Sequence, residues 1–229
     1  MSLTKRKDPL ITGKYYHIYN RGVDKRDIFM DKRNLERFVL SVKLFNSVKS
    51  MGSIQSMKLG EGGISQLSNS DNFKKMQPLV SIACYCFNPN HFHFIVKQEV
   101  DGGISEFFKR LLGGYTKYFN DIHKRSGALF QGRFKSNLID NDDYFLKIRP
   151  YVNMNYLIHD IPIAKNHLIW ASDKEYHSGE FDIVSKNEAE ELLNFYEGKE
   201  NFEKESLNTI SIIRDQRGKT SLLEEDLLP

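Results

Sequence analysis

One stretch, CYCFNPNHFHFIV at residues 84–96, constrains the fold more than any other. Aromatic and β-branched residues flank Asn-Pro-Asn, which is turn chemistry, so the segment predicts a hairpin. One arm runs from Leu79 to Phe87 and the other from 91 to 98. Side chains alternate faces along a strand. His91 and His93 therefore share one face, while Phe92, Phe94 and Val96 share the other and point to a core. Two imidazoles on one face suit a divalent metal. They suit equally an ordinary half-buried polar face, and the H-x-H spacing alone does not choose between them.

The segments around the hairpin extend the pattern. KYYHIYN is a strand, with Tyr15 to Tyr19 ending at the NRG turn. RNLERFVLSVKLFN, 33–46, spaces Leu35, Phe38, Val39, Val42 and Phe45 as a helix. A second helix is predicted over 101–125, with Ser105 as N-cap and an apolar stripe through Phe108, Leu111, Leu112, Tyr115, Tyr118, Phe119 and Ile122. Gly113-Gly114 weakens it and introduces a kink. Residues 127–139 read as loop then strand. Residues 140–160 read as a helix capped by Asn141 or Asp142, where Pro150 either kinks the helix or opens a new one. Strand, helix, strand, strand, helix, strand, helix is the order of an α+β fold. The expected form is ferredoxin-like: an antiparallel sheet with helices packed on one face and the histidines on the sheet.

The chain has 229 residues, 40% of them hydrophobic. That suits a catalytic domain at 1–165, carrying a Ser/Gly/Asn-rich flexible insertion at about 47–78, and an acidic appendage at 166–229. In the appendage HLIWASDKEY reads as a packed loop and SKNEAEELLNFYEG as a short acidic helix. The last thirty residues read as peripheral, with a disordered end. No apolar run approaches the about 20 residues that span a bilayer, and MSLTKRKDPL is no secretory signal. Two cysteines, Cys84 and Cys86, fit a reduced, cytoplasmic protein. Net charge is only +3, but residues 107–138 carry +6 and residues 173–206 carry −7. The basic residues are Lys109, Arg110, Lys117, Lys124, Arg125, Arg133 and Lys135. They read either as a solvated helix face or as a path for a polyanion.

A metal on the histidine face needs further ligands. YVNMN places Tyr151 and Asn155 at i and i+4, neighbours on one helix face. Asn155 offers an amide oxygen and Tyr151 a phenol, which is otherwise a packing aromatic. Tyr115 and Tyr118 lie in the apolar stripe of the earlier helix.

Four ordered stretches carry a resemblance: YYHIYNRGVDKRDIF at 15–29, YCFNPNHFHFIV at 85–96, YTKYFNDIHKRSGALFQGRFKS at 115–136 and YVNMN at 151–155. Together they resemble the single-tyrosine HUH transposases, close to the REP-associated tyrosine transposase branch. The resemblance spans roughly residues 14–160 and implies a ferredoxin-like domain that cuts and transfers single-stranded DNA. By position, Tyr151 is the implied nucleophile, forming a 5′-phosphotyrosine link. His91 and His93 are the implied catalytic metal ligands and Asn155 completes the site, with Mg²⁺ or Mn²⁺ as cofactor. Arg21 matches a family position suited to phosphate contact. The chain departs from the pattern at Asn88, where Met is usual, and at Tyr156, where Pro often follows the Asn.

The implied partner is single-stranded or hairpin DNA, bound through the basic residues, with Tyr118, Phe130 and Phe134 available for base stacking or for the core. No membrane partner is expected, and a homodimer is left open. Two other classes compete: a non-catalytic module that binds hairpin DNA or RNA, and a zinc protein using Cys84, Cys86, His91 and His93.

Overall fold

The structure is a computed structural model that describes residues 9–49, 76–159 and 161–219. Strand β1 (Tyr15–Arg21) leads through the NRG turn to helix α1 (Lys32–Phe45). An added Cβ at Gly22 would stand 2.2 Å from the Arg26 carbonyl oxygen, so this turn admits only glycine. Asp31 caps α1, its carboxylate accepting from the Asn34 amide at 2.8 Å. Strands β2 (Val80–Asn88) and β3 (His91–Gln98) form the predicted hairpin. Then come α2 (Gly103–Ile122), β4 (Lys135–Ile139) and α3 (Asp142–Asn153), which runs on into a 3-10 turn at Asn155–Ile158. The chain closes with β5 (Trp170–Ala171), α4 (Asp173–Ser178), α5 (Lys186–Phe195) and α6 (Lys199–Lys219).

The fold is α+β. Its sheet is antiparallel and open, in the order β4-β1-β3-β2-β5. The register settles the faces. Ile18 pairs with Phe94, Asn20 with Phe92 and Phe87 with Phe92, on the side covered by α1 and α2. There Phe38 of α1 meets Phe87 at 5.2 Å, and Phe108 of α2 meets Phe94 at 5.4 Å between ring centroids. All four rings are fully buried. Each contributes about 1.5–3 kcal/mol through burial.

The opposite face carries His17, Tyr19, His91, His93, Cys86, Asn88 and Lys135. The expected helices on one face are α1 and α2. A further helix, α3, lies on the histidine face, because Ile148, Tyr151 and Val152 form an apolar edge that packs on β2 and β3. Helix α6 packs on α3 in turn, burying Phe202, Ile210 and Ile213.

Several boundaries differ from the sequence reading. Gly102, not Ser105, precedes α2, and Ser105 lies inside the helix. Helix α2 runs through Gly113-Gly114 as one element. Gly114 is there because α1 crosses it: an added Cβ would meet the Phe45 ring at 3.0 Å. Pro150 neither ends α3 nor opens a new helix; it sits within the helix, where the orphaned carbonyl falls a turn earlier. Asn141 caps α3 by accepting from the Tyr144 amide. The expected packed loop at 167–176 instead holds β5 and α4, since Trp170 and Ala171 pair with Phe87 and Cys86 on the sheet edge. The last thirty residues were expected to be peripheral, yet α6 is a long helix against α3. The expected insertion falls mostly at 50–75, outside the described residues, as does the stretch 220–229.

Buried Glu175 fastens the C-terminal region to the sheet. Its carboxylate accepts from the Tyr85 hydroxyl at 2.6 Å and from the backbone amides of Asp182, Ile183 and Val184. Among the described residues no helix is long and apolar enough to cross a membrane.

Candidate functional site

The site lies where β1, β3 and the end of α3 meet. The tight turn at Pro89-Asn90 places His91 first on β3, with its ring over the 3-10 turn that follows α3. His91 Nδ1 stands 2.6 Å from Asn90 Oδ1, so the Nδ1–H donates there. That fixes the tautomer and leaves the Nε2 lone pair facing inward. Around Nε2 stand the Asn88 amide nitrogen at 2.8 Å, His159 Nε2 at 3.1 Å and Asn155 Oδ1 at 3.3 Å. His159 Nε2 is in turn 3.2 Å from Asn155 Oδ1. Asn88 also donates to Asn155 Oδ1 at 2.8 Å. Asn88 and Asn155 are fully buried, while His91 and His159 are half-buried.

His93 sits two residues further along β3 and belongs to a second group. Its Nδ1 is 2.9 Å from His17 Nε2, and the two rings stack at 5.1 Å. Tyr19 stacks on both. Tyr151 of α3 closes this group edge-on, 5.7 Å from the His93 ring and 6.1 Å from the His17 ring. The His91 and His93 rings are themselves 5.3 Å apart, so the two groups adjoin. The phenol, the imidazole pair and the Asn155 amide thus occupy one corner of the histidine face. Tyr151 is only 1% exposed in this conformation. Helix α3, which carries it, lies between the sheet and α6.

No protein-family model matches the chain, and no curated protein matches it. Among solved structures, a similar chain is described as the REP-associated tyrosine transposase bound to a REP hairpin. It is 14% identical, with a TM-score of 0.45, over 80% of this chain and 91% of that one. The likeness is loose, so the site geometry has to carry the functional reading.

The eight basic residues do not share one surface. Arg21 and Lys135 lie on the histidine face, with Lys135 Nζ 5.5 Å from the centre of the Tyr19 ring. Arg21 donates to Gln131 in the loop before β4, where Arg133 is also exposed. Lys109, Arg110 and Lys117 belong to α2, on the other side of the sheet, and Lys124 and Arg125 follow its C-terminus. Arg110 is held by Glu106 and the Ser47 carbonyl, and Lys109 pairs with Glu106. Arg125 donates to Asn120 and the Ala128 carbonyl. Lys117 and Lys124 are exposed. Of the aromatic candidates for stacking, Phe130 is in the core and Phe134 packs on Phe108 at 4.9 Å. Tyr118 lies under the Arg37 guanidinium at 5.0 Å.

The zinc alternative finds little support. Cys86 faces His93 across the hairpin, but both thiols are buried. Burial pushes the Cys84 thiol up to about 12, which opposes a thiolate ligand. Among the described residues no three His, Cys, Asp or Glu side chains gather as a metal cluster. The His91 group is built from two imidazoles and two amides.

His17, Asn88 and His159 are the site residues that sequence reading missed. Tyr151, Asn155 and His159 follow at intervals of four in the sequence, so a signal for His159 was present, although Asn155 and His159 lie in and just after the 3-10 turn rather than in α3. His17 alternates with Tyr15 and Tyr19 on β1, but its meeting with His93 depends on the diagonal neighbours that the sheet register creates.

Proposed function

We propose that this protein is a metal-dependent endonuclease and strand transferase acting on single-stranded or hairpin DNA, with Tyr151 as nucleophile. The reading is supported by one observation above the others: the Tyr151 ring stands edge-on to the His17–His93 pair, beside the His91–Asn155 group. In the step proposed, Tyr151 Oη bonds to the scissile phosphorus and the bond to the 3′ oxygen breaks. The phenol proton passes to a base and the leaving oxygen takes up a proton. A phosphotyrosine conserves the bond energy, so strand transfer reverses the step without ATP. A free phenol has a pKa of about 10 and is a weak nucleophile at neutral pH. The imidazole pair at its edge can take the proton.

The residues of the His91 group fit a divalent ion, since Nε2 of His91 and Oδ1 of Asn155 converge at 3.3 Å. Bound there, Mg²⁺ or Mn²⁺ would polarise the phosphate oxygens and offset charge in the transition state. Arg21 and Lys135, on the same face, would hold the DNA backbone. Attack requires that Tyr151 be uncovered to substrate, because it is closed off from solvent between α3 and the sheet in this conformation.

That burial favours a second reading, a module that binds hairpin nucleic acid without cutting it. One assay separates the two. The parent, incubated with a labelled single-stranded hairpin and Mn²⁺, should give a covalent protein–DNA band on a denaturing gel. Tyr151→Phe should remove the band and lower cleavage by more than about 10³-fold. A parent that binds the hairpin but forms no adduct at any Mg²⁺ or Mn²⁺ concentration selects the binding module. Unchanged cleavage by Tyr151→Phe rejects Tyr151 as nucleophile.

A further inference from the structure

We infer that His159 is a metal ligand in this protein, joining His91 and Asn155 to form one three-donor face toward a divalent cation. The inference rests on the metal-dependent reading and names a ligand that neither the resemblance nor the H-x-H spacing supplies.

The geometry comes first. His91 Nε2, His159 Nε2 and Asn155 Oδ1 are separated by 3.1, 3.2 and 3.3 Å, a nearly equilateral triangle. Donors at right angles around an ion, with bonds of about 2.1 Å, stand about 3 Å apart. The triangle therefore has the dimensions of one face of a coordination polyhedron. Three ligands on one face leave the opposite positions for water or phosphate oxygens, the open arrangement of a catalytic rather than a structural site.

The orientation of the donors agrees. The Asn90 carboxamide oxygen takes the Nδ1–H of His91, so Nε2 carries the lone pair, which accepts from the Asn88 amide at 2.8 Å in this conformation and stands within 3.3 Å of the other two donors. Two imidazole nitrogens 3.1 Å apart must share a proton or a cation between them. The Asn88 amide lies 2.8 Å from both His91 Nε2 and Asn155 Oδ1. A half-turn of that carboxamide exchanges its nitrogen for its oxygen, which adds a fourth donor to the same centre. Asn88 is the position where the chain departs from the Met of the pattern it resembles, so the departure falls on the cation site.

His93 is arranged differently. Its Nδ1 engages His17 and its ring abuts Tyr151. It acts with His17 beside the phenol, while His159 stands in the cation group. Nitrogen-rich donors of this kind favour Mn²⁺ over Mg²⁺.

The test is Mn²⁺ binding to the full-length protein without DNA, followed by titration calorimetry and by pulsed EPR of the bound ion. Parent protein should show two imidazole nitrogens coupled to Mn²⁺. His159→Gln should show one and bind at least tenfold more weakly, as should His91→Gln. His177→Gln, at a surface ion pair with Glu203, should match the parent. Circular dichroism melts of each variant confirm that it is folded; should His159→Gln fail to fold, His159→Asn takes its place. A His159 variant that is folded, with parent affinity and two nitrogen couplings, overturns the proposal. So does a parent that binds no Mn²⁺ at millimolar concentration. Mn²⁺ held by His159 in a protein that forms no DNA adduct would leave this inference standing and remove the strand-transferase reading.

Discussion

On one face of the sheet, Phe87, Phe92 and Phe94 pack ring against ring beneath α1 and α2. On the other, two adjoining polar groups, His17 with His93 and His91 with Asn88, Asn155 and His159, are held by contacts of 2.8–3.3 Å. Both faces are covered by helices, and on β3 both arise from alternate residues, Phe92 and Phe94 on one side and His91 and His93 on the other. The difference lies in what each arrangement can do. Dispersion and burial hold rings in place without direction. A hydrogen-bonded group fixes directions, which is what a ligand set and a nucleophile need. The apolar face is thus a platform, and the polar face is what it positions.

The contrast breaks most easily at β3. Phe92→Ala should cost about 3–5 kcal/mol, read from chemical denaturation, because it empties a fully buried ring site. His93→Gln, one residue along, should cost less than about 2 kcal/mol, since the amide can keep one hydrogen bond. Equal losses would mean that the histidine face is as structural as the phenylalanine face.

The C-terminal anchor comes next. Glu175→Ala removes the acceptor for the Tyr85 hydroxyl and three backbone amides, at about 2–3 kcal/mol, because their donors stay buried. A change below about 0.5 kcal/mol would show that solvent reaches these donors.

The division between faces also predicts a division in DNA binding. Arg21→Ala and Lys135→Ala should each reduce the salt slope of hairpin affinity by about 1. Lys117→Ala, on the far side of the sheet, should leave the slope unchanged. If Lys117 matters as much, the DNA runs over α2 and the histidine face is not the working face.

The smallest effect concerns the apolar layer. Gly113→Ala meets nothing within 4 Å and should stabilise α2 by about 0.5–1 kcal/mol. Gly114→Ala gains the same helix propensity but presses on the Phe45 ring, so its net change should be smaller or reversed. Thermal melts of the two variants make the comparison.

The sequence by itself determined strands β1 to β4, the hairpin and the two faces of the sheet, because alternation along a strand is local geometry, while β5 was read as a loop. HFHFIV could sort its side chains only one way. It also suggested that Tyr151 and Asn155 share a helical face, but α3 ends at Asn153 and Asn155 opens the 3-10 turn that follows, so their closeness is decided by that turn. What it left open were the meetings between segments. Pairing His17 with His93 requires β1 to lie beside β3 in one register, and a slip of one residue would turn His17 to the other face. The gathering of His159, Asn155 and His91 requires the turn after α3 to dock over the start of β3, and the basic residues of α2 fell on the far side for the same kind of reason. The acidic tail could be read as an appendage because its charge is visible in the sequence. That α6 covers α3 follows from apolar residues spaced along a helix finding a partner distant in the chain. Only the tertiary structure decides such contacts, because their energy exists only once both surfaces are formed.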